Sequence, residues 1–310
     1  MNRREFIIKS SIAGLFLGAA PFELLANSKD KNIHKLTILH TNDTHSRILP
    51  FPKGTKYEGL GGVAKRAALI NKIRSEEKNV LLLDSGDIFQ GTPFFNEYGG
   101  EVELKLMSEM GYDATTLGNH DFDAGIEGLV KQLPNANFPF LNVNYNFEKT
   151  ALEGKIEKYK IFKKGKLKIG VFGVGIELDG LVPEKLCKGV IHNDPILHAN
   201  IIAEHLKNKL HCDFVVCLSH LGLEYSSGKV SDVVLAQNSS NIDLILGGHT
   251  HTFLDKPMVL NNLENEQVII NQVGWAGIIL GRLDLYFKKE NDKKVEKNST
   301  VFFSEKTIVK

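Results

Sequence analysis

Cysteine is scarce in this chain of 310 residues: there are three, Cys187, Cys212 and Cys217, and none stands in a CxxC spacing. So sparse and odd a set excludes a disulfide scaffold and a thiolate metal site. Cys212 and Cys217, five apart on what reads as one strand, are expected on opposite faces, out of bridging reach, as small buried hydrophobes. Charge of one sign is also lacking. The 38 basic and 37 acidic side chains leave a formal net charge of +1, which gives no basic surface for nucleic acid or an anionic membrane. No apolar run reaches the ~20 residues that a spanning helix needs. Missing as well are a GxxxxGK[ST] phosphate loop, a GxSxG elbow around Ser219, and a capped helix after Gly170, Gly173 and Gly175 of GVFGVG. No linker, low-complexity tract or fixed-period repeat interrupts the chain. What is present is a composition 42% apolar, enough for a full core.

Residues 1–30 read as an export signal outside the fold. Arg3-Arg4-Glu5-Phe6-Ile7-Ile8-Lys9 resembles a twin-arginine motif, and an apolar stretch over 12–20 follows. Lys9 and Glu23 bound that stretch, so it is too short to cross a bilayer. The expectation is an exported, periplasmic protein without a stable membrane span.

Residues 31–310 show an α/β rhythm and are expected to form one domain. Short apolar runs predict strands over 36–40, 80–83, 114–117, 139–143, 214–218 and 242–246. Helical spacing of apolar residues predicts helices over 61–78, 101–110 (with Gly111 as C-cap), 123–133 (stopped by Pro134), 195–210 and 229–236. A hairpin is expected over 156–162 and 167–174, around a turn centred on Gly165. Residues 268–271 and 278–287 read as antiparallel strands, 290–297 as a charged turn, and 300–308 as an edge strand. Two sheets between helical layers satisfy this pattern.

Histidine, aspartate and asparagine gather just after the apolar runs: Asp43 and His45 in HTNDTHS, Asp87 in LLLDSGD, Asn119 and His120 in GNHDFD, His220 in LSHLG, and His249 and His251 in GGHTHT. Loops at the carboxyl ends of strands are where α/β sheets collect ligands. In an extended loop residues i and i+2 point the same way, so Asp43 with His45 can bind one cation together, and His249 and His251 have the same spacing. Asp87 can bridge two ions, or cap a helix. The donors are oxygen and nitrogen only, which suits Mn, Zn, Fe or Co. His120 cannot easily share its neighbour's ion and is free to face a substrate, with Asp123 able to fix its tautomer. His40 reads as either a supporting group or a buried strand residue. His34, His192, His198, His205 and His211 read as surface or structural.

HTNDTHS, SGDIFQGTP, YDATTLGNHDFD, LSHLG and GGHTH together resemble the 5′-nucleotidase branch of the calcineurin-like metallophosphoesterases, over about residues 36–287. The resemblance implies a four-layer α/β/β/α sandwich of two mixed sheets and two divalent metal ions. One ion would be held by Asp43, His45, Asp87 and His251, the other by Asp87, Asn119, His220 and His249. It also implies a His120–Asp123 catalytic dyad and attack by a hydroxide between the ions on a nucleoside monophosphate, UDP-sugar or cyclic nucleotide. Asp121 replaces a Glu common in the family, a conservative change away from the ligands. The family's C-terminal base-binding domain has no counterpart here, so base recognition is expected to come from a separate polypeptide or to be absent, giving a broad-specificity phosphatase or phosphodiesterase. A sulfur-compound hydrolase and a non-catalytic metal-stabilised module are the other readings of the same motifs.

Overall fold

The computed structural model describes residues 32–290, 294–295 and 301–309; the expected signal over 1–30 lies outside the described residues. The chain begins with β1 (Ile33–Thr41), α1 (Val63–Glu76), β2 (Val80–Asp84), α2 (Pro93–Tyr98), α3 (Glu101–Met110), β3 (Ala114–Thr115) and α4 (Gly125–Gln132). It continues through β4 (Tyr145–Asn146), β5 (Tyr159–Lys164), β6 (Leu167–Gly175), β7 (Ile191–His192), α5 (Pro195–Glu204), β8 (Phe214–His220) and α6 (Asp232–Gln237). It then runs through β9 (Leu244–Leu246), β10 (Met258–Asn261), β11 (Gln267–Asn271), β12 (Ile279–Glu290), β13 (Lys294–Val295) and β14 (Val301–Ile308).

Two mixed sheets result. In the first, β1, β2 and β3 are parallel, and β12 runs antiparallel beside β1 with β13 and β14 on its outer side. The second has the order β10-β11-β9-β8-β6-β5, parallel in its centre and antiparallel at both edges. The two-residue alternation of strands makes this a sandwich. Leu81 and Leu83 of β2 face Val216 and Leu218 of β8 in the core between the sheets. Their neighbours Val80 and Leu82 face outward onto Ile70 and Ile73 of α1 and Met107 of α3. On the far side, Val215 and Cys217 pack against Ala199 and Ile202 of α5 and Leu235 of α6. The architecture is therefore the expected four-layer α/β/β/α sandwich. Among the described residues no helix is long and apolar enough to cross a membrane.

Several expectations are corrected. The strands predicted over 268–271 and 278–287 are not paired; β11 and β12 lie in different sheets. The connection between them crosses the rim, held by Asn42 and Asp43, and β10 is the antiparallel partner of β11 instead. Residues 139–143 make only isolated bridges, Thr115 with Phe140 and Leu141 with Glu157. The α-helix predicted over 195–210 ends at Glu204 and closes with a wide π turn over His205–Lys209. Cys212 precedes β8 rather than sharing it with Cys217, and both thiols are free within one apolar cluster.

Leu83 is fully buried between the sheets, whereas Leu181 is 41% exposed. Leu83→Ala is expected to cost about 2–5 kcal/mol through lost burial and a residual cavity. Leu181→Ala should stay within about 0.5 kcal/mol of the parent. Urea denaturation of the two variants checks this.

Candidate metal centre

Parallel pairing brings the carboxyl ends of β1, β2, β3, β8 and β9 to one rim. The loop after β1 runs beside the loop after β2 as a short backbone ladder. Asp43 N–H donates to the Gly86 carbonyl at 2.9 Å, His45 N–H to Asp87 at 3.0 Å and Ser46 N–H to Ile88 at 2.8 Å. The Ser85 hydroxyl reaches the Leu246 carbonyl at 2.7 Å and ties this rim to the second sheet.

These loops gather the side chains singled out above into two adjoining clusters, Asp43–His45–His251 and Asp87–His220–His249. In the first, His45 Nε2 lies 3.0 Å from His251 Nε2, which lies 3.3 Å from Asp43 Oδ1. In the second, His220 Nε2 lies 3.1 Å from Asp87 Oδ2, and His249 Nδ1 lies 2.9 Å from Asn119 Oδ1. Asp87 Oδ2 is also 3.9 Å from His45 Nε2, so its carboxylate stands between the clusters. At the partly exposed edge, His120 Nδ1 is 2.8 Å from Asp123 Oδ2, and the His120 ring centroid is 5.2 Å from that of His45. His120 N–H donates to Asp87 Oδ1 at 2.8 Å. Asp87 caps no helix; the next one, α2, begins after Thr92.

The local backbone is unusual in a way that serves this convergence. Asp43, His45, Asp87, His249 and His251 all have positive φ, between 46° and 70°. For non-glycine residues this left-handed region is uncommon and costs of order 1–3 kcal/mol when imposed by surroundings. Close approach adds a second demand: a Cβ at Gly118 would collide with Oδ1 of Asp87.

The donor geometry fits cations. His220 Nδ1 can only donate to the Ser85 carbonyl at 2.6 Å, so in the neutral ring Nε2 is a lone pair aimed at the Asp87 carboxylate. His45 Nδ1 donates likewise to the Phe89 carbonyl at 3.3 Å, leaving its Nε2 lone pair aimed at His251. Two acceptors at such distances need a proton or a metal ion between them.

The charge states agree. Burial opposes a charge on His220, but the Asp87 and Asp43 carboxylates outweigh it and push its pKa up to about 10, so a proton takes the cation's place. Burial also works to raise Asp87, yet the charge and hydrogen bond of His220 hold it below the usual carboxylate range. Burial, followed by the charge on His220, pushes His249 down to about 4. Burial lowers His45 too, so both rings present free lone pairs. His120 moves the other way, raised by its hydrogen bond to Asp123 against partial burial.

Sequence reasoning missed the groups that hold these side chains in place. Asp121, read as a conservative change away from the ligands, is fully buried and accepts N–H groups from Asp87 (3.1 Å), Ile88 (2.9 Å), Phe89 (3.3 Å) and Gly118 (2.8 Å). It thereby joins the two loops that carry Asp87 and Asn119. Asp84 accepts from the Thr41 and Thr115 hydroxyls and the Gly86 N–H. Gln272 donates to the Gly248 carbonyl at 2.7 Å and accepts from Thr250 Oγ1 at 3.1 Å, bracing the GGHTHT loop. Asp121 and Asp84 sat inside the motifs and could have been found there; Gln272 lies outside them, with no signal of its own. His40 is a buried strand residue, its Nε2 accepting from Asn271 Nδ2 at 2.8 Å.

The chain is similar to known proteins. Residues 36–253 match the calcineurin-like phosphoesterase family model. The snake venom 5′-nucleotidase of Crotalus adamanteus is 33% identical over 280 residues, 82% of this chain and 45% of that protein. The trifunctional nucleotide phosphoesterase protein YfkN of Bacillus subtilis is 31% identical over 295 residues, 85% of this chain and 19% of that one. The crystal structure of a 5′-nucleotidase precursor from Thermus thermophilus superposes with a TM-score of 0.77 at 30% identity, covering 89% of this chain and 54% of that one. The chain thus spans about half or less of the length of each.

Removing Asp121 should cost stability more than its small size suggests. Asp121→Ala leaves buried N–H groups without an acceptor, each costing about 1–3 kcal/mol, and should lower the denaturation midpoint markedly. Asp123→Asn removes the partner that raises His120. With a folded pKa above the ordinary 6.5, the native pair contributes stability fully present below that value and lost as pH rises through the raised one. An NMR titration should show the His120 pKa falling in Asp123→Asn, and pH-dependent unfolding should lose that alkaline decline.

Proposed function

We propose that this chain, which belongs to the calcineurin-like phosphoesterase family, is a metal-dependent phosphoric ester hydrolase of the 5′-nucleotidase type. The observation that carries this reading is the pair of His/Asp clusters with one carboxylate, Asp87, between them and the His120–Asp123 pair at their open edge. Asp43, His45, Asp87 and His251 would hold one divalent ion, and Asp87, Asn119, His220 and His249 the other; Mn, Zn, Fe and Co suit the donors. When bound, two such ions polarise a phosphoryl group, activate water and neutralise the charge that would repel an anionic ester. Asp87 sets the spacing between the two sites and is itself set by Asp121 and by the His120 N–H. Asp123 keeps the His120 proton on Nδ1 and favours the imidazolium, so that Nε2 can donate to the leaving oxygen.

The substrate class we propose is a small phosphate ester: a nucleoside monophosphate, a UDP-sugar or a cyclic nucleotide. The matches to nucleotidases and to a nucleotide phosphoesterase support it. The twin-arginine-like residues Arg3 and Arg4 support export to the periplasm. We further propose that base recognition is supplied from outside residues 31–310, by a domain or polypeptide resembling the C-terminal domain of the nucleotidases.

Chromatographic detection of the hydrolysis products of AMP, UDP-glucose, 2′,3′-cyclic AMP and p-nitrophenyl phosphate, with the metal-loaded chain, tests the reading. Indiscriminate hydrolysis is the expected result; strong preference for one nucleotide would place base recognition in this chain, and no hydrolysis of any would refute the enzyme. Asp87→Asn should weaken both ions in metal analysis. His120→Asn should retain both while turnover drops roughly 10²–10⁴-fold, the scale of a lost general acid.

A further inference from the structure

The four imidazoles of the two clusters are not held alike. His45 and His220 each donate Nδ1–H to a backbone carbonyl, whereas His249 Nδ1 meets Asn119, which is proposed above to hold the same ion. Metal-ligating histidines almost always have such a partner on the second nitrogen, because it fixes tautomer and ring direction. His251 has none among the described residues, and its side chain is 38% exposed. What lies against it is Trp275, the only tryptophan of the chain. The two rings are parallel within 3°, centroids 5.5 Å apart, an offset stack.

Trp275 is itself firmly placed. Phe51 and Tyr57 meet it edge-on at centroid distances of 5.7 and 6.3 Å. The Arg47 guanidinium covers Phe51 at 4.3 Å. On either side of Trp275 the backbone is bonded to the loop that carries Asp43: Gly274 C=O accepts from Asn42 Nδ2 at 2.5 Å, and Ala276 N–H donates to the Asp43 carbonyl at 2.7 Å. The indole therefore moves with Asp43 and fixes the plane of His251 relative to it.

We propose that Trp275 is the positioning residue for His251 and sets the affinity of the metal ion held by Asp43, His45 and His251, standing in for the backbone hydrogen bond that His45 and His220 have. This rests on the two-metal reading above. A ring stack restricts the imidazole plane without binding Nδ1, so the ion in this cluster depends on an apolar contact at His251 and on a polar one at His45.

The test is calorimetric titration of the full chain with Mn(II), with bound metal counted after dialysis, for wild type, Trp275→Leu and Trp275→Phe. Leu keeps apolar bulk without a ring; Phe keeps a ring. The expected result is two ions per wild-type chain. In Trp275→Leu one ion should keep its affinity and the other weaken about 10–100-fold, the usual effect of losing a ligand's support. Trp275→Phe should recover most of that loss. Wild-type affinities for both ions in Trp275→Leu would overturn the proposal, as would equal weakening of both or a Phe variant as impaired as Leu. A wild-type chain that binds no Mn(II) would instead refute the two-metal reading, and the proposal with it.

Discussion

Buried acceptors facing one another across about 3 Å are the constraint around which this molecule is arranged. His220 Nε2 and Asp87 Oδ2, 3.1 Å apart in a fully buried setting, repel unless positive charge lies between them. Loose loops would relax such a contact by turning one side chain away. Here they cannot, because Ser85 holds His220 through Nδ1, and Asp121 and the His120 N–H hold Asp87. A proton on His220, or a cation, holds the two groups together, and the sandwich of two sheets supplies the rigidity that sustains the arrangement.

The same logic accounts for the left-handed backbone at five of these residues, Asp43, His45, Asp87, His249 and His251. Positive φ bends each loop sharply back over its strand end, so that side chains from two sheets reach a common centre. Strain of this kind persists only where surroundings over-determine it. Those surroundings are visible: the ladder between the loops after β1 and β2, the Gln272 brace under the GGHTHT loop, and the N–H groups converging on Asp121. Asp121 is pushed up to about 7 by burial and then by the neighbouring Asp87 charge, and the N–H groups around it favour the ionised form against both.

Much of the fold was legible from the chain because its strands are short and apolar and alternate between two buried faces. Residues 80–83 form an unbroken apolar run, the signal of a strand buried on both faces, and it needs no partner to be read. Pairing was less legible: β11 and β12 were adjacent in sequence and both apolar, yet the segment between them crosses from one sheet to the other. Nothing in the apolar pattern records that crossing, since it depends on hydrogen bonds from Asn42 and Asp43 more than 200 residues away.

The candidate site divides in the same way. Donor chemistry is a property of each side chain, so the sequence alone determined that the donors were oxygen and nitrogen, that they followed strands, and that His120 and Asp123 stood a helical turn apart. Which donors come together, which hydrogen bonds each histidine makes, and that Trp275 stacks on His251 were decided by tertiary structure. His249 and Asp43 touch across 206 residues of chain. Contacts of that range come from strand register and loop geometry, which no local spacing encodes.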